Sequence, residues 1–195
     1  DKHMLKSEVI GHNEHGHPIF DSTRTAAGEA VFQLKYRSDY TQALTLAQAL
    51  NEHILHRLDK PRLIIPMPAS NARTHQPVNL VADQLGQISG LPVFHEILQK
   101  APNGVSLKNL NTRDEKMDAL RGTMAIHNQI TNQGHWNAII VDDLFHSGAS
   151  METATATLRT YNKINKVFVV AMIGDSMTTV FIAGSITIKK IDDQV

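Results

Sequence analysis

The sequence predicts an α/β domain built on a mainly parallel sheet flanked by helices, and three features carry that prediction. Residues 138–142 and 167–173 are near-continuous apolar runs rich in β-branched side chains, the pattern of strands buried on both faces. Between them, Met151, Ala154, Leu158 and Tyr161 recur at helical spacing. Upstream, Leu63-Ile64-Ile65 is a short apolar run bounded by prolines, and a second helical stripe, Val78, Val81, Leu85 and Ile88, follows it. Strand alternating with helix calls for parallel strands joined by crossover helices.

The other elements follow in chain order. Val9-Ile10 and Pro18-Ile19-Phe20 flank the turn-rich stretch Gly11 to His17, which reads as a hairpin. Ala26 to Leu34 is ambiguous, because Gly28 interrupts a helical pattern. Ser38-Asp39 would cap a helix whose apolar positions are Leu44, Ala47, Leu50, Ile54 and Leu58, and Pro61 stops it. Pro66 to Arg73 is a loop; Pro77 opens the next helix and Gly90 closes it. Leu91 to Phe94 reads as a short strand, and residues 100–122, polar with little periodicity, as a long mobile loop. Residues 4–60 (hairpin, hood and first helix) and 61–195 (core) then form one compact domain, of a size that 195 residues support.

Bulk properties narrow the function classes. Lys plus Arg and Asp plus Glu each number 19, so net charge is zero, which argues against a general nucleic-acid surface. With no cysteine, disulfides and thiolate metal sites are excluded. The start of the chain lacks an apolar signal-peptide core, and the longest apolar run, Val167 to Ile173, is too short to cross a bilayer, so a soluble, cytoplasmic protein is expected. Asp1-Lys2-His3, ahead of Met4, is set aside from the fold reasoning.

The most informative segment is Ile139-Ile140-Val141-Asp142-Asp143-Leu144-Phe145-His146-Ser147-Gly148-Ala149-Ser150. A strand ends in two adjacent carboxylates, suited to sugar hydroxyls or a hydrated metal. A small-residue loop then enters a helix, where unpaired N–H groups and the positive dipole end favour a phosphate. The alternative is an acidic strand end followed by an ordinary helix with Ser150 as its cap. In open parallel sheets ligands bind beyond the carboxyl ends of the strands, so the loops after Ile65 and Val141 would line one crevice.

The arrangement strand, Asp142-Asp143, three residues, Ser147-Gly148-Ala149-Ser150, helix resembles the phosphoribosyl pyrophosphate (PRPP) signature of type I phosphoribosyltransferases. Leu34-Lys35-Tyr36-Arg37-Ser38-Asp39, the Pro66-Met67-Pro68 loop with Arg73, and Gly90-Leu91-Pro92-Val93 look, in the same order, like the competence protein F and amidophosphoribosyltransferase side of that family. The chain departs from competence protein F in three places: it has no N-terminal cysteine zinc ribbon, it reads Arg73-Thr74-His75-Gln76-Pro77 after the first loop, and His146 replaces a hydroxyl residue.

The resemblance implies roles by position. Asp142 and Asp143 would face the ribose hydroxyls, directly or through hydrated Mg²⁺. Phe145, His146, Ser147, Gly148, Ala149 and Ser150 would cradle the 5-phosphate. Ala69, Ser70 and Asn71 match the pyrophosphate loop, with Arg73 the nearest cation and an ordinary surface arginine as its other reading. Lys100 and Lys108 bracket the polar loop that would close over the site, and each also reads as a surface lysine. It further implies PRPP as donor, Mg²⁺ as cofactor, a nitrogenous acceptor met by residues 4–38 and 100–122, and often a homodimer. A non-catalytic PRPP sensor and a competence or DNA-processing accessory are the alternatives; the absence of an aromatic–basic stripe weakens direct DNA contact.

Three further features have bland readings. His12, His15 and His17 invite a metal but lack a clear further ligand, so solvated hairpin histidines are the better account. Trp136 reads as packing rather than as a base-stacking platform. Lys35 and Arg37 are candidates for touching a ligand or partner, and a solvated face is the better account.

Overall fold

The computed structural model describes residues 4–70, 73–101, 109–145, 147–174 and 180–182. A four-stranded sheet in the order β3-β6-β7-β8 forms its centre. β3 (Leu63–Pro66), β6 (Trp136–Leu144) and β7 (Ile164–Ile173) run parallel, and β8 (Val180–Ile182) lies antiparallel at the edge. The mainly parallel sheet expected from the apolar runs is therefore present.

Side-chain alternation along the strands divides the interior into two cores. Ile64, Ile139, Val141, Phe168 and Val170 face one layer, made by α1 (Ala26–Tyr36), α2 (Gln42–His53) and α3 (Pro77–Ser89). Leu63, Ile65, Ala138, Ile140, Val167 and Val169 face the other, made by α5 (Ala149–Arg159) and a small two-stranded sheet. That small sheet pairs β4 (Leu98–Lys100) with β5 (Met124–Ile126), antiparallel. Met151, Ala154, Leu158 and Tyr161 are all buried, as their spacing requires.

Several local expectations are corrected. Ala26 to Leu34 is helical despite Gly28, because the Thr25 hydroxyl accepts from the Gly28 N–H at 3.0 Å and Val31 and Leu34 are buried. The α2 stripe is Ala43, Leu46, Ala47 and Leu50 running on to Ile54, whereas Leu44 is 43% exposed; Thr41 is its N-cap and Asp39 braces the turn by accepting from the Thr41 N–H at 3.2 Å. Ile88 lies on the outer edge of α3. Leu91 to Phe94 makes a single parallel bridge, Ile64 to Val93, rather than a strand.

Residues 100–122 are not one loop. Lys100 ends β4, and α4 (Arg113–Leu120) begins with a capping box in which Thr112 and Glu115 satisfy each other's backbone N–H groups. α4 rests on α5 through the Arg113–Glu152 ion pair. The N-terminal hairpin of β1 (Met4–His12) and β2 (Pro18–Arg24) forms as expected, its tip closed by Asn13, whose Oδ1 accepts from the N–H groups of His15 and His17 at 3.0 and 2.9 Å.

Candidate functional site

The sheet brings two loops to one end. β3 and β6 are parallel neighbours with Pro66 opposite Val141, and the Met67 N–H donates to the Val141 carbonyl at 2.8 Å. The 67–76 loop and the segment after Val141 therefore leave the same end of adjacent strands, the position at which parallel sheets bind ligands.

Asp142 and Asp143 end the buried part of β6, and alternation turns them to opposite faces of the sheet. Asp143 shares the parity of Ile139 and Val141 and so points toward the helical layer, where Lys35 on α1 forms an ion pair with it. The two side chains are only 21% and 19% exposed. Asp142 shares the parity of Ile140 and points toward the layer of β4 and α5. There Lys100 lies near enough for its charge to act on Asp142, while its ammonium donates to the Ser70 hydroxyl at 2.8 Å. Asp143 thus pairs with a lysine from the layer on its own side, and Asp142 lies within the field of both Lys35 and Lys100.

These lysines do not fully neutralise the pair. Burial, and then the charge of Asp143, push the Asp142 carboxyl up to about 7, against the opposing pull of the Asp143 N–H and of Lys35 and Lys100. The Asp143 N–H donates to Asp142 Oδ1 at 2.8 Å and fixes its rotamer. Burial also lowers the Lys100 ammonium below its ordinary range, with Asp142 working in the other direction. The strand end is therefore short of positive charge.

The phosphate-type loop follows directly. The Phe145 N–H donates to the Ile173 carbonyl at 2.8 Å, which pins the start of the loop to the end of β7. Gly148 is the N-cap of α5, with φ 76° and ψ −7°, and no side chain caps the helix. The Ser150 cap of the ordinary-helix alternative is thus absent: Ser150 lies inside the first turn and Ala149 is buried. The positive φ favours glycine, and a Cβ at position 148 would stand 3.1 Å from Cε2 of Phe145. An uncapped first turn leaves N–H groups aimed out of the helix end, as anion sites require.

The remaining sequence-selected residues divide clearly. Ala69 and Ser70 are exposed on the loop after β3, and Arg73 donates from Nη1 to the Lys35 carbonyl at 3.3 Å. Asn71, Lys108 and His146 lie outside the described residues. His12, His15 and His17 are exposed, and among the described residues no group of three His, Asp or Glu side chains is arranged to hold a metal. Trp136, the first residue of β6, packs against the core on the α5 side.

Lys35 is the residue that sequence reasoning misplaced on a solvated face. The signal was available: Lys35 lies four residues after Val31 and one after Leu34, at the margin of the buried stripe of α1. Lys100, expected at one end of a mobile loop, is held on β4.

The arrangement defines an α/β protein with an acid-ended central strand, a glycine-headed helix N-terminus and three cations at the carboxyl end of its sheet. No protein-family model and no curated protein matches the sequence. Among solved structures, an adenine phosphoribosyltransferase aligns with TM-score 0.43 at 15% identity, over 86% of this chain and 85% of its own. The adenine phosphoribosyltransferase of Saccharomyces cerevisiae gives 0.43 and 15%, over 86% and 83%. A hypoxanthine phosphoribosyltransferase from Staphylococcus aureus gives 0.41 and 9%, over 69% and 64%. Likeness at this level assigns no activity. No helix among the described residues is long and apolar enough to cross a membrane.

Proposed function

We propose that this chain binds PRPP with Mg²⁺ and transfers its phosphoribosyl group to a nitrogenous acceptor, releasing pyrophosphate. The observation that carries the reading is the pair of carboxylates on opposite faces of one strand end, directly followed by an uncapped, glycine-headed helix. Paired acceptors suit the two ribose hydroxyls, and helix N–H groups suit the 5-phosphate. The finer placement, close to competence protein F, rests on sequence motifs, a cytoplasmic location on the hydropathy of the sequence, and a homodimer on the family resemblance.

Each residue has a defined task. Asp142 and Asp143 hold the ribose and supply negative charge beneath the anomeric carbon as it becomes oxocarbenium-like. The N–H groups of the 147–150 turn hold the 5-phosphate, and the Ser147 and Ser150 hydroxyls add donors. Ser70, Lys100 and Arg73 face the leaving pyrophosphate from the loop after β3 and the end of β4. Because the cations and dipoles are already in place, little reorganisation is needed as charge develops.

The residues fit Mg²⁺. The donors are hard carboxylate oxygens, and the raised Asp142 shows a demand for further positive charge. Two carboxylates suit an ion that keeps several of its waters and arrives with a phosphate-bearing substrate. Asp142 and Asp143 would hold it through water, and its chemistry is to offset charge on the departing pyrophosphate. The test is pyrophosphate release from PRPP with a panel of purine, pyrimidine and amine acceptors. Release that depends on one acceptor class supports transfer, whereas tight PRPP binding with no turnover on any acceptor overturns it.

A further inference from the structure

Lys35 stands at a junction. Its side chain comes from α1, yet it pairs with Asp143 at the end of the central strand, and its carbonyl accepts from Arg73 of the loop after β3. One residue thus ties the helical layer to a site carboxylate and to the loop's cation. The Lys35 ammonium is paired with Oδ2 of Asp143, one of the carboxylates that would hold the hydrated Mg²⁺. A cation on a side chain and a cation in solution cannot both neutralise one carboxylate without mutual repulsion.

We propose that Lys35 is a tethered competitor for the divalent cation, a positioning residue that keeps Asp143 neutralised in the free protein and yields it when metal and diphosphate arrive together. The proposal rests on the PRPP reading for its second half. Its first half, competition at Asp143, is a property of the free protein.

Two consequences follow. Free divalent ions bind poorly until a diphosphate is present to receive the released ammonium. The site therefore favours metal and diphosphate as a unit over either alone. Arg73 bonds the Lys35 backbone carbonyl, not its ammonium, so moving the ammonium does not of itself break that contact.

The test compares wild type with Lys35→Gln and Lys35→Arg, using Mn²⁺ as a paramagnetic probe of the free protein and PRPP in saturating Mg²⁺ as the second ligand. The backbone carbonyl that holds Arg73 survives both substitutions, and thermal melts check that each variant is folded. Lys35→Gln is expected to bind free Mn²⁺ roughly tenfold more tightly than wild type, because the competing charge is gone. The same variant is expected to bind PRPP more weakly in saturating Mg²⁺, and Lys35→Arg to restore both values toward wild type. Equal Mn²⁺ affinity in wild type and Lys35→Gln, including no measurable binding by either, overturns the proposal. A wild-type protein that ignores PRPP while the Mn²⁺ difference persists sinks the functional reading but leaves the competition standing. Tighter PRPP binding by Lys35→Gln would contradict the release step.

Discussion

Replacing Asp142 by Asn isolates the electrostatic strain at the strand end. Asn keeps an Oδ1 able to accept the Asp143 N–H, so the local geometry is retained while the charge is removed. In the folded protein the Asp142 carboxyl is pushed up to about 7 from an ordinary value of 3.8. The folded state therefore holds a proton that the unfolded chain has already released, and stability falls as pH rises from about 4 to about 7. Between pH 5 and pH 7 that is two units at about 1.4 kcal/mol each, a ceiling near ~3 kcal/mol. Partial burial and water reaching the crevice reduce it to on the order of 1–2 kcal/mol. For a domain of this size, about 2–4 °C of melting temperature corresponds to each kcal/mol. Asp142→Asn should raise the melting temperature more at pH 8 than at pH 5, by roughly 2–8 °C. Calorimetric melts of both proteins at the two pH values measure this, and histidine titration, common to both, cancels in the difference. An equal gain at both pH values, or a loss at pH 8, would refute the reasoning.

Two other substitutions probe separate parts of the structure. The Tyr161 hydroxyl accepts from the Ile130 N–H at 3.1 Å and donates to Asn128 Oδ1 at 2.5 Å, so Tyr161→Phe leaves a buried N–H unpaired. It should cost about 1–3 kcal/mol in urea unfolding, with PRPP affinity unchanged. Gly148→Ala places a Cβ at φ 76°, 3.1 Å from the Phe145 ring, and should cost about 1–2 kcal/mol while sharply weakening ribose 5-phosphate binding. Unchanged ribose 5-phosphate affinity in that variant would remove the 147–150 turn from the site.

Most of the central sheet was legible because its strands are buried on both faces, which makes Ile64, Ile140 and Val169 part of uninterrupted apolar runs. The turn after Asp143 was legible because glycine and small residues have few other uses at a strand-to-helix junction. What sequence patterning missed depends on tertiary partners. β4 and β5 are three residues each and are defined by pairing with one another, so periodicity has nothing to count. α4 is amphipathic only weakly, and its one local signal was the Thr112 and Glu115 box. Leu44 and Ile88 fit helical spacing yet lie outside the buried stripes, because a stripe read from spacing leaves its margin open by one residue. The charge partners were hidden for a different reason. Lys35 and Lys100 are remote from Asp142 and Asp143 in sequence, and only the layering over the two faces of β6 brings both lysines to the strand end.

PRPP binding as proposed requires Asp142 and Asp143 to hold the ribose and its metal. Calorimetric titration of PRPP in excess Mg²⁺ into wild type and into an Asp142→Asn/Asp143→Asn variant tests this most directly. Wild type should show a saturable single site, and the folded variant an affinity lower by roughly tenfold or more, about 1.4 kcal/mol for each factor of ten. Wild-type affinity in the variant, or no PRPP binding by wild type, would contradict it.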